Sequence, residues 1–402
     1  MLRVSEALKA ILEVTNTLPS EEIRLIDALE RVLAEDIYAD SDIPQLPNSA
    51  MDGYAVRSSD TFGASKDRPK TLKVISDLKA GSVSPEAVKD NQAIRIMTGA
   101  VMPAGADSVI MVELTEKEGM DRVKIFKETK PGENIRNAGE DIKKGEKVIE
   151  KGALLNSAHI GILASLGKSK VRVTRRPKVA VLATGDEVID VDEELTPGKL
   201  RSSNTYTLYS QILKCGGIPK NLGIAKDRPQ ELEKKIKEGF DCDLILTSGG
   251  VSVGDYDLVK FILAKIGTDI KFWKVAMRPG KPLVFGRLGE KFIFGLPGNP
   301  VSSMISFEVF VRPAILKMLG QPHDTRKEVD AVLEEDIQKK KGLRYFVRAQ
   351  TRWDDGVYIT RTTGPQCSGI LKSMAMANSL IILPEDEEEV AKGVRVTVLF
   401  LD

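Results

Sequence analysis

The stretch DLILTSGGVSVGDYD at residues 243–257 decides the fold of the middle of the chain. Its apolar run Leu244–Leu246 is typical of a buried parallel strand. The turn Ser248–Gly249–Gly250 follows, and paired glycines allow a positive φ and let a ligand approach the backbone. Successive N–H groups in such a turn, next to the start of a helix, can bind an anion. The same pattern is also compatible with a simple connection between a strand and a helix.

Two carboxylates, Asp255 and Asp257, follow this turn at the start of a helical run that ends before Gly267. Carboxylate oxygens are among the ligands that Mg²⁺ prefers in proteins. An anion-binding turn with acids beside it therefore indicates a site for a phosphate ester and a divalent metal ion.

Strands and helices alternate around this stretch, from residue 175 to residue 325. Helices are expected to begin at Ser203–Asn204, at Pro229 and at Pro300, with Asn299 as the N-cap of the last one. The alternation predicts a doubly wound αβα domain with helices on both faces of the sheet. The predicted strands are Val179–Leu182, one ending near Ala225, Leu244–Leu246, Phe272–Val275, Leu283–Phe285 and Ile293–Leu296.

The rest of the chain predicts a multidomain α/β protein. Residues 1–44 and 142–174 form a discontinuous mixed helical domain, which includes a helix carrying Leu29, Val32 and Leu33. Short alternating strands separated by turn residues predict an inserted β domain over 45–141 and a small β-barrel-like domain over 326–402. The α/β domain occupies 175–325.

Composition excludes several classes of protein. The 59 basic and 58 acidic side chains give a net charge of +1, which argues against nucleic acid or an anionic membrane as the main partner. No apolar run approaches the roughly 20 residues of a membrane-spanning helix. The three cysteines are far apart and no signal peptide is recognised, so we expect a reducing, cytoplasmic location.

The loops that follow the predicted strands carry the polar groups of a candidate site, because ligands of doubly wound sheets bind at the carboxyl ends of the strands. Glycine turns at Gly249, Gly250 and Gly298 supply backbone N–H groups. Arg278 and Lys281 supply positive charge. The hard oxygen ligands for Mg²⁺ come from Glu187, Asp227, Asp255 and Asp257.

Acids, cations and Mg²⁺ around an anion-binding turn are typical of phosphoryl or nucleotidyl transfer. No competing nucleophile is evident, since His159 and His323 show no partner pattern with a serine or cysteine. No Walker A loop or GxGxxG motif stands at a suitable strand end, which argues against ordinary P-loop or dinucleotide binding.

These loops, in this order, resemble the family of molybdopterin molybdenumtransferases, the MoeA and gephyrin E-domain family, which inserts molybdate into adenylylated molybdopterin. The resemblance covers essentially the full chain. It rests on the motifs PNSAMDGYAV (47–56), IMTGAVMPAGAD (96–107), GENIRNAGEDIKKGE (132–146), LATGDEV (182–188), LTSGGVSVGDYD (246–257), MRPGKP (277–282), GLPGNPVSS (295–303) and TTGPQCSGILKSMAMAN (362–378).

The resemblance implies an elongated four-domain subunit, a homodimer, and a magnesium ion held by Glu187 and Asp257 on the nucleotide phosphate. Asp255 is then better explained as a residue that favours the helix start through the helix dipole. The resemblance assigns catalytic roles to Asp52, Thr98, Asp227, Asp257 and Lys281. It assigns substrate contacts to Gly185, Ser248, Gly249, Gly250, Ser252, Arg278, Pro297, Gly298, Asn299, Ser302, Arg348 and Ser368.

The anion pocket implied for molybdate consists of Arg278, Lys281, Ser302, Arg348 and Ser368. The chain departs from the family pattern at Arg278, where the family carries lysine. Arginine keeps the charge but binds oxyanions through a planar fork of donors, whereas lysine is a point charge. Molybdate and tungstate therefore both remain open as the natural substrate.

Two other functions remain open. An adenylyltransferase that makes adenylylated molybdopterin would resemble the α/β domain alone, and such an enzyme is also a candidate partner that supplies the substrate. A dimeric scaffold that binds partner peptides would share the architecture but have an incomplete metal site. The additional domains argue against the first alternative, and the presence of Glu187 and Asp257 argues against the second.

Overall fold

The computed structural model describes residues 1–250, 258–322 and 326–401. The chain folds into two compact units. The first contains Met1–Ile23, Glu30–Ala34 and Arg172–Asp402, and the second contains Arg24–Leu29 and Glu35–Val171. The second unit therefore interrupts the first in the sequence. The finer division into four domains, with the boundaries given above, stays a prediction.

The chain begins with helix α1 (Val4–Val14) and strand β1 (Ser20–Arg24). The predicted second helix over Leu29, Val32 and Leu33 is wrong. Glu30 has a φ of 58°, which a helix does not permit, and Leu33 pairs with Val173 in an isolated antiparallel bridge. Three apolar residues at helical spacing are too few to distinguish a helix from an irregular segment, which here buries Val32 and Leu33 and leaves Leu29 exposed.

The second unit is built on a mixed six-stranded sheet with the order β7-β4-β6-β5-β9-β8. Alternate residues of β4 reach opposite faces, since Tyr54 and Val56 belong to one buried cluster and Ala55 belongs to another. The elements of this part of the chain are β2 (Ile37–Tyr38), β3 (Asn48–Ser49), β4 (Gly53–Val56), β5 (Lys70–Leu78), β6 (Gln92–Ile96), β7 (Ser108–Met111), β8 (Thr115–Glu118), β9 (Arg122–Ile125), β10 (Ile135–Arg136), β11 (Lys147–Ile149), α2 (Ser157–Ser165) and β12 (Lys170–Thr174).

The first unit contains the predicted doubly wound sheet, with the order β16-β13-β17-β21-β20-β18. The first four strands are parallel, and β20 and β18 complete the sheet in antiparallel pairing. The elements are β13 (Lys178–Thr184), β14 (Val188–Ile189), β15 (Leu200–Arg201), α3 (Ser203–Lys214), β16 (Ile218–Ala225), α4 (Pro229–Glu238), β17 (Leu244–Ser248), α5 (Leu258–Lys265), β18 (Asp269–Lys274), β19 (Met277–Arg278), β20 (Pro282–Leu288), β21 (Lys291–Leu296), α6 (Pro300–Ser306) and α7 (Arg312–Leu319).

Both faces of this sheet are buried. Val179 and Val181 of β13 pack in a cluster with Leu208 and Ile212 of α3, and the intervening Ala180 packs in a second cluster with residues of α4 and α5. A strand buried on both faces must be apolar at nearly every position, which explains why these strands are continuous apolar runs in the sequence.

The last helical segment of the sheet domain is not one regular α-helix. Asn299 occupies the N-cap position of α6 and Pro300 the first helical position, as predicted, but the Asn299 side chain makes no capping hydrogen bond. A π-helical turn, Phe307–Val311, separates α6 from α7.

The C-terminal part closes into a small β-barrel. Strand β24 pairs with both β25 and β26, and the series β25-β22-β28-β26 completes the circle. Strand β19 of the preceding domain adds to β24 in parallel, pairing Arg278 with Tyr345. The elements are β22 (Glu328–Leu333), β23 (Ile337–Gln338), β24 (Arg344–Asp354), β25 (Val357–Thr362), α8 (Leu371–Ala375), β26 (Ser379–Leu383), β27 (Glu389–Val390) and β28 (Arg395–Phe400). Among the described residues, no helix combines the length and apolar character needed to cross a membrane.

Candidate functional site

A cleft of about 620 Å³ lies at the carboxyl ends of the parallel strands β13 and β17, and we call it the strand-end cleft. Its floor is made by small residues, because the strands end in turns rich in glycine and serine. The lining residues are Ala183, Thr184, Glu187, Val188, Leu200 to Asn204, Ser248 to Gly250, Gly298 to Pro300, and Gly369. The predicted residues Glu187, Ser248, Gly249, Gly250, Gly298 and Asn299 are therefore gathered in one place.

The turn after β17 requires glycine. Gly249 has a φ of 94° and Gly250 a φ of 65°, and a Cβ at Gly249 would lie 2.5 Å from the carbonyl oxygen of Thr184. The Gly249 N–H donates to the Leu296 carbonyl oxygen at 3.2 Å, so this amide is already hydrogen-bonded at the carboxyl end of the sheet. An anion would consequently be held by other groups of this turn and of the turn that follows β21. Ser252, Asp255 and Asp257 lie outside the described residues.

Three carboxylates lie near the end of β13 and β16. Three effects raise the pKa of Asp227 above its usual value. Partial burial is the largest, followed by repulsion from Asp186 and then from Glu187. The Asp227 N–H donates to an Asp186 carboxylate oxygen at 3.2 Å. Glu187 lines the cleft and folds over Gly185, where an added Cβ would lie 2.7 Å from Glu187 Oε2. The region thus carries three carboxylates, with Lys226 close to Asp227 and Arg201 on the lining of the cleft.

The described residues contain no group of three or more histidine, cysteine or acidic side chains arranged around a common metal position. Of the two predicted metal ligands, Glu187 lines the strand-end cleft, and Asp257 lies outside the residues that the structure describes. The metal assignment stays a prediction.

A second cleft of about 360 Å³, which we call the basic cleft, contains two of the predicted anion-binding residues, Arg278 and Arg348. The lining residues are Arg278, Pro279, Ile337 to Lys340, Tyr345 to Arg348, and Gln366. It shares no lining residue with the strand-end cleft. The sequence predicted one site formed by the loops after the strands, whereas the structure places Arg278 in the basic cleft and Glu187 with the glycine turns in the strand-end cleft.

The Arg348 side chain is fully buried, and burial lowers the pKa of its guanidinium. Its Nε donates to Ser373 Oγ at 2.7 Å, and its Nη2 donates to the carbonyl oxygens of Pro365 and Cys367. Its Nη1 has no hydrogen-bond partner among the described residues. A buried cation with a free donor is a favourable binding partner for an oxyanion, because low polarity strengthens the attraction.

Other cations surround Arg348 in the basic cleft. The Arg278 guanidinium lies 5.5 Å from the ring centre of Tyr345, and its Nη1 is 3.4 Å from the Tyr345 hydroxyl. Lys339 is buried and donates to the carbonyl oxygens of Pro384 and Glu387. Within the described part of the chain, no ion pair joins Arg348 or Lys339 to a carboxylate. Lys339, Tyr345 and Gln366 were not identified from the sequence, where nothing marks them.

The remaining predicted residues of the first unit line neither cleft. The Lys281 side chain is exposed, whereas Ser302 is buried in α6. The Ser368 carbonyl oxygen accepts the Val301 N–H at 3.1 Å, and the Pro297 carbonyl oxygen lies 3.5 Å from Ser248 Oγ. The roles that the family resemblance implies for them stay predictions.

Asp52 and Thr98 form a hydrogen-bonded pair in the second unit. The Thr98 N–H and hydroxyl both donate to Asp52 Oδ1 at 2.7 Å. Both bonds lower the pKa of the exposed Asp52 carboxyl, and the bond from the backbone N–H has the larger effect. The two residues predicted for the inserted β domain are therefore brought together as one polar pair.

Asn204 lines the strand-end cleft but was interpreted from the sequence as part of a helix cap. In the structure Ser202 occupies the N-cap position, and Asn204 belongs to α3. Its Nδ2 donates to Ser248 Oγ at 2.7 Å and to the Gly298 carbonyl oxygen at 2.8 Å. Asparagine near a helix start is common, so the sequence offered no signal for these tertiary contacts.

The fold and the two clefts define a multidomain α/β protein that has ligand sites at the carboxyl edge of a doubly wound sheet and beside a small β-barrel. Three family models match the chain: "MoeA N-terminal region (domain I and II)" at residues 2–167, "Probable molybdopterin binding domain" at 180–317, and "MoeA C-terminal region (domain IV)" at 330–401.

Similar proteins span the same length. The chain is 38% identical over 404 residues to the molybdopterin molybdenumtransferase of Bacillus subtilis, which covers 99% of this chain and 94% of the relative. It is 40% identical over 387 residues to the Staphylococcus epidermidis protein of the same name, with 95% and 91% covered. A crystal structure of the molybdopterin biosynthesis MoeA protein from Pyrococcus horikoshii matches with a TM-score of 0.83 and 34% identity, covering 100% of both chains. The chain therefore belongs to the molybdopterin molybdenumtransferase (MoeA) family, a family of enzymes of molybdenum cofactor synthesis.

Proposed function

We propose that this chain inserts molybdate or tungstate into adenylylated molybdopterin and releases AMP in a Mg²⁺-dependent reaction, the last step of molybdenum cofactor synthesis. The observation that supports this most directly is the strand-end cleft, where two glycine turns meet beside the Glu187 carboxylate. Family membership supplies the chemistry, and the cleft offers a place for a nucleoside phosphate. The enzyme is expected to act in the cytoplasm as a homodimer, with the adenylyltransferase that supplies its substrate as a further partner.

The negative charge around Glu187 fits a divalent cation. Partial burial and then the nearby Asp186 and Glu187 carboxylates raise the pKa of Asp227, and a cation would reduce the repulsion among the three carboxylates. Magnesium commonly uses only one or two protein carboxylates and completes its shell with water and phosphate oxygens. Glu187, with Asp257 from the segment outside the described residues, would hold the ion. When bound, Mg²⁺ would stabilise negative charge on the departing phosphate.

The basic cleft is proposed to hold the oxyanion. Arg348 offers Nη1, which has no hydrogen-bond partner among the described residues, Arg278 lies against Tyr345, and Lys339 adds a buried positive charge. A doubly charged tetrahedral anion would find several donors here and no competing carboxylate among the described lining residues. Lys281, Ser302 and Ser368 are proposed to complete this site during the reaction, and Asp52 and Thr98 to act in the dimer, as the family resemblance implies.

AMP release from adenylylated molybdopterin tests the proposal. We expect release to require Mg²⁺ and an oxyanion, and to fall at least tenfold in Glu187→Gln and in Asp257→Ala, because each removes a metal ligand. Glu290→Gln is the control, since the Glu290 side chain is 90% exposed on a distant hairpin. Release that is independent of the oxyanion and unaffected by Asp257→Ala would contradict the proposal. Consumption of ATP with free molybdopterin would indicate an adenylyltransferase instead.

The same assay with molybdate and tungstate in parallel decides which oxyanion is preferred. Arg278→Lys keeps the charge but removes the planar fork that lies on Tyr345. We expect this variant to raise the KM for the oxyanion several-fold with a smaller change in kcat. An unchanged KM would show that Arg278 does not contact the oxyanion.

A further inference from the structure

Two glycine turns form the floor of the strand-end cleft, and the regular sheet stops just before them. The last pairing between β17 and β21 joins Ser248 to Leu296. Beyond this point the strands give way to Gly249–Gly250 on one side and Pro297–Asn299 on the other. The turns touch, since a Cβ at Gly298 would lie 3.5 Å from the Gly249 Cα. The Gly249 N–H still donates to the Leu296 carbonyl oxygen at 3.2 Å, and the position of Gly298 relative to β17 depends on contacts beyond this bond.

Asn204 supplies such a contact from a third element, helix α3. Its Nδ2 carries two hydrogens, and these reach Ser248 Oγ at 2.7 Å and the Gly298 carbonyl oxygen at 2.8 Å. Because a carbonyl oxygen can only accept, the amide must present its nitrogen to Gly298. Asn204 is 9% exposed, and its bond to Ser248 is buried whereas its bond to Gly298 is partly buried. One primary amide thus joins the two turns.

We propose that Asn204 is a positioning residue that holds the turns after β17 and β21 in the arrangement that receives the phosphate of the nucleotide substrate. This inference deepens the proposed function and rests on it for the identity of the ligand. A hydrophobic residue at this position would remove the donor from the buried Ser248 hydroxyl and from the Gly298 carbonyl oxygen. Among the described residues, the turns would keep the bond from the Gly249 N–H to the Leu296 carbonyl oxygen and the 3.5 Å contact between Ser248 Oγ and the Pro297 carbonyl oxygen. They would be held less firmly, and ligand binding would have to restore their arrangement.

The same helix provides a matched control. Gln211 is also 9% exposed, and its Nε2 likewise donates two hydrogen bonds, to the Met304 carbonyl oxygen and to Glu308 Oε1. The side-chain oxygen of each amide lacks a partner among the described residues. Gln211 does not line the strand-end cleft. Asn204→Ala and Gln211→Ala therefore remove similar buried amides, only one of which joins the turns.

Two measurements on the full chain test the proposal, namely hydrogen exchange of the unliganded protein and calorimetric titration with AMP in the presence of Mg²⁺. In Asn204→Ala we expect amide exchange at least tenfold faster in peptides that cover Gly249 and Gly298, and an at least tenfold higher Kd for AMP. Asn204→Asp keeps the volume but places an acceptor against the Gly298 carbonyl oxygen, so we expect the same two changes. Gln211→Ala should change neither the exchange rate of these peptides nor the Kd for AMP, even if it lowers the thermal midpoint as much as Asn204→Ala does.

The two measurements distinguish failure of the positioning role of Asn204 from failure of the proposed ligand. Unchanged exchange in both Asn204 variants would overturn the positioning role, whatever the affinity. Faster exchange with unchanged AMP affinity would show that the arrangement of the turns does not govern binding, and would also overturn it. Wild-type protein that binds no AMP would refute the proposed ligand, and the exchange comparison would still decide whether Asn204 joins the turns.

Discussion

The three cysteine thiols differ in their surroundings, and this difference predicts their reactivity. Burial raises the pKa of Cys215 to about 12 and that of Cys242 to about 11, whereas Cys367 is exposed. Only the thiolate reacts as a nucleophile. We expect a disulfide reagent to modify one thiol rapidly in the native protein at pH 8 and three thiols in denaturant. Cys367→Ser should abolish the rapid reaction, and rapid modification of a second thiol in the native protein would contradict the buried assignments.

The two buried thiols, Cys215 and Cys242, make the free energy of unfolding decrease as the pH rises. Because folding raises their pKa, the folded state favours the neutral form. Their contribution to stability is complete below the pKa of about 9 of an unfolded thiol and is lost as the pH rises toward 11 to 12. Denaturation experiments between pH 8 and pH 11 should therefore show a decrease in the free energy of unfolding, part of which the Cys215→Ala variant no longer shows.

For single residues, the sequence predicted which residue types matter but not which distant residues they contact. The glycines of the turn after β17 were expected because only glycine tolerates their positive φ values. Asn204 and Lys339 were missed because each acquires its partners from residues far away in the sequence. The roles of Asp52 and Thr98 were implied by resemblance, but their pairing through two hydrogen bonds that lower the pKa of Asp52 is visible only in the folded chain.

Among the elements, the turn after β17 predicts a clear substitution effect. Gly249→Ala should lower the free energy of unfolding by more than the about 1–2 kcal/mol that a left-handed conformation costs a non-glycine residue, because its Cβ would also meet the Thr184 carbonyl oxygen at 2.5 Å. Gly289→Ala is the matched control, since Gly289 has a φ of 59° and no heavy atom within 4 Å of the added Cβ. Urea denaturation compares the two. Equal losses would show that the close contact relaxes without cost.

The π-helical turn between α6 and α7 carries a buried charge that predicts a large effect. Glu308 is 8% exposed and accepts hydrogen bonds from Gln211 and from Arg326 Nη2, both at 2.9 Å. Glu308→Ala leaves Arg326 without this partner at a mostly buried site, and breaking a buried ion pair typically costs about 3–5 kcal/mol. Glu290→Ala breaks the exposed pair with Arg287 and should cost at most about 1 kcal/mol. A loss for Glu308→Ala as small as that of the control would contradict the structural role of this pair.

The position of most elements in the α/β domain could be predicted because buried parallel strands are apolar runs and helices begin with recognisable residues. The π-helical turn could not be predicted, since Phe307–Val311 continues the apolar spacing of an ordinary helix. The prediction of a helix over Leu29, Val32 and Leu33 failed for the opposite reason, since here a helical pattern occurs where no helix forms. Val32 and Leu33 are buried without helical structure and Leu29 is exposed, and a short apolar pattern does not record the difference.

For the molecule as a whole, the division into two compact units predicts more than one unfolding transition. Each unit has its own buried clusters, so neither depends wholly on the other for its core. Differential scanning calorimetry should give a calorimetric enthalpy larger than the van't Hoff enthalpy. AMP with Mg²⁺ at about 100 times its Kd should stabilise only the unit that contains the strand-end cleft, by about 2.7 kcal/mol. A single two-state transition would contradict this division.

The sequence alone determined the doubly wound sheet, the small β domains on either side of it in the chain, and the family, because local patterns and ordered motifs record strands, turns and loop chemistry. Only the tertiary structure decided that the polar loops serve two clefts, that β24 closes the barrel by pairing with β25 and β26, and that Asn204 joins two turns. The physical reason is that strand order, barrel closure and buried hydrogen bonds are contacts between distant residues. Each is selected by the packing of the whole unit, and no local pattern specifies the partner.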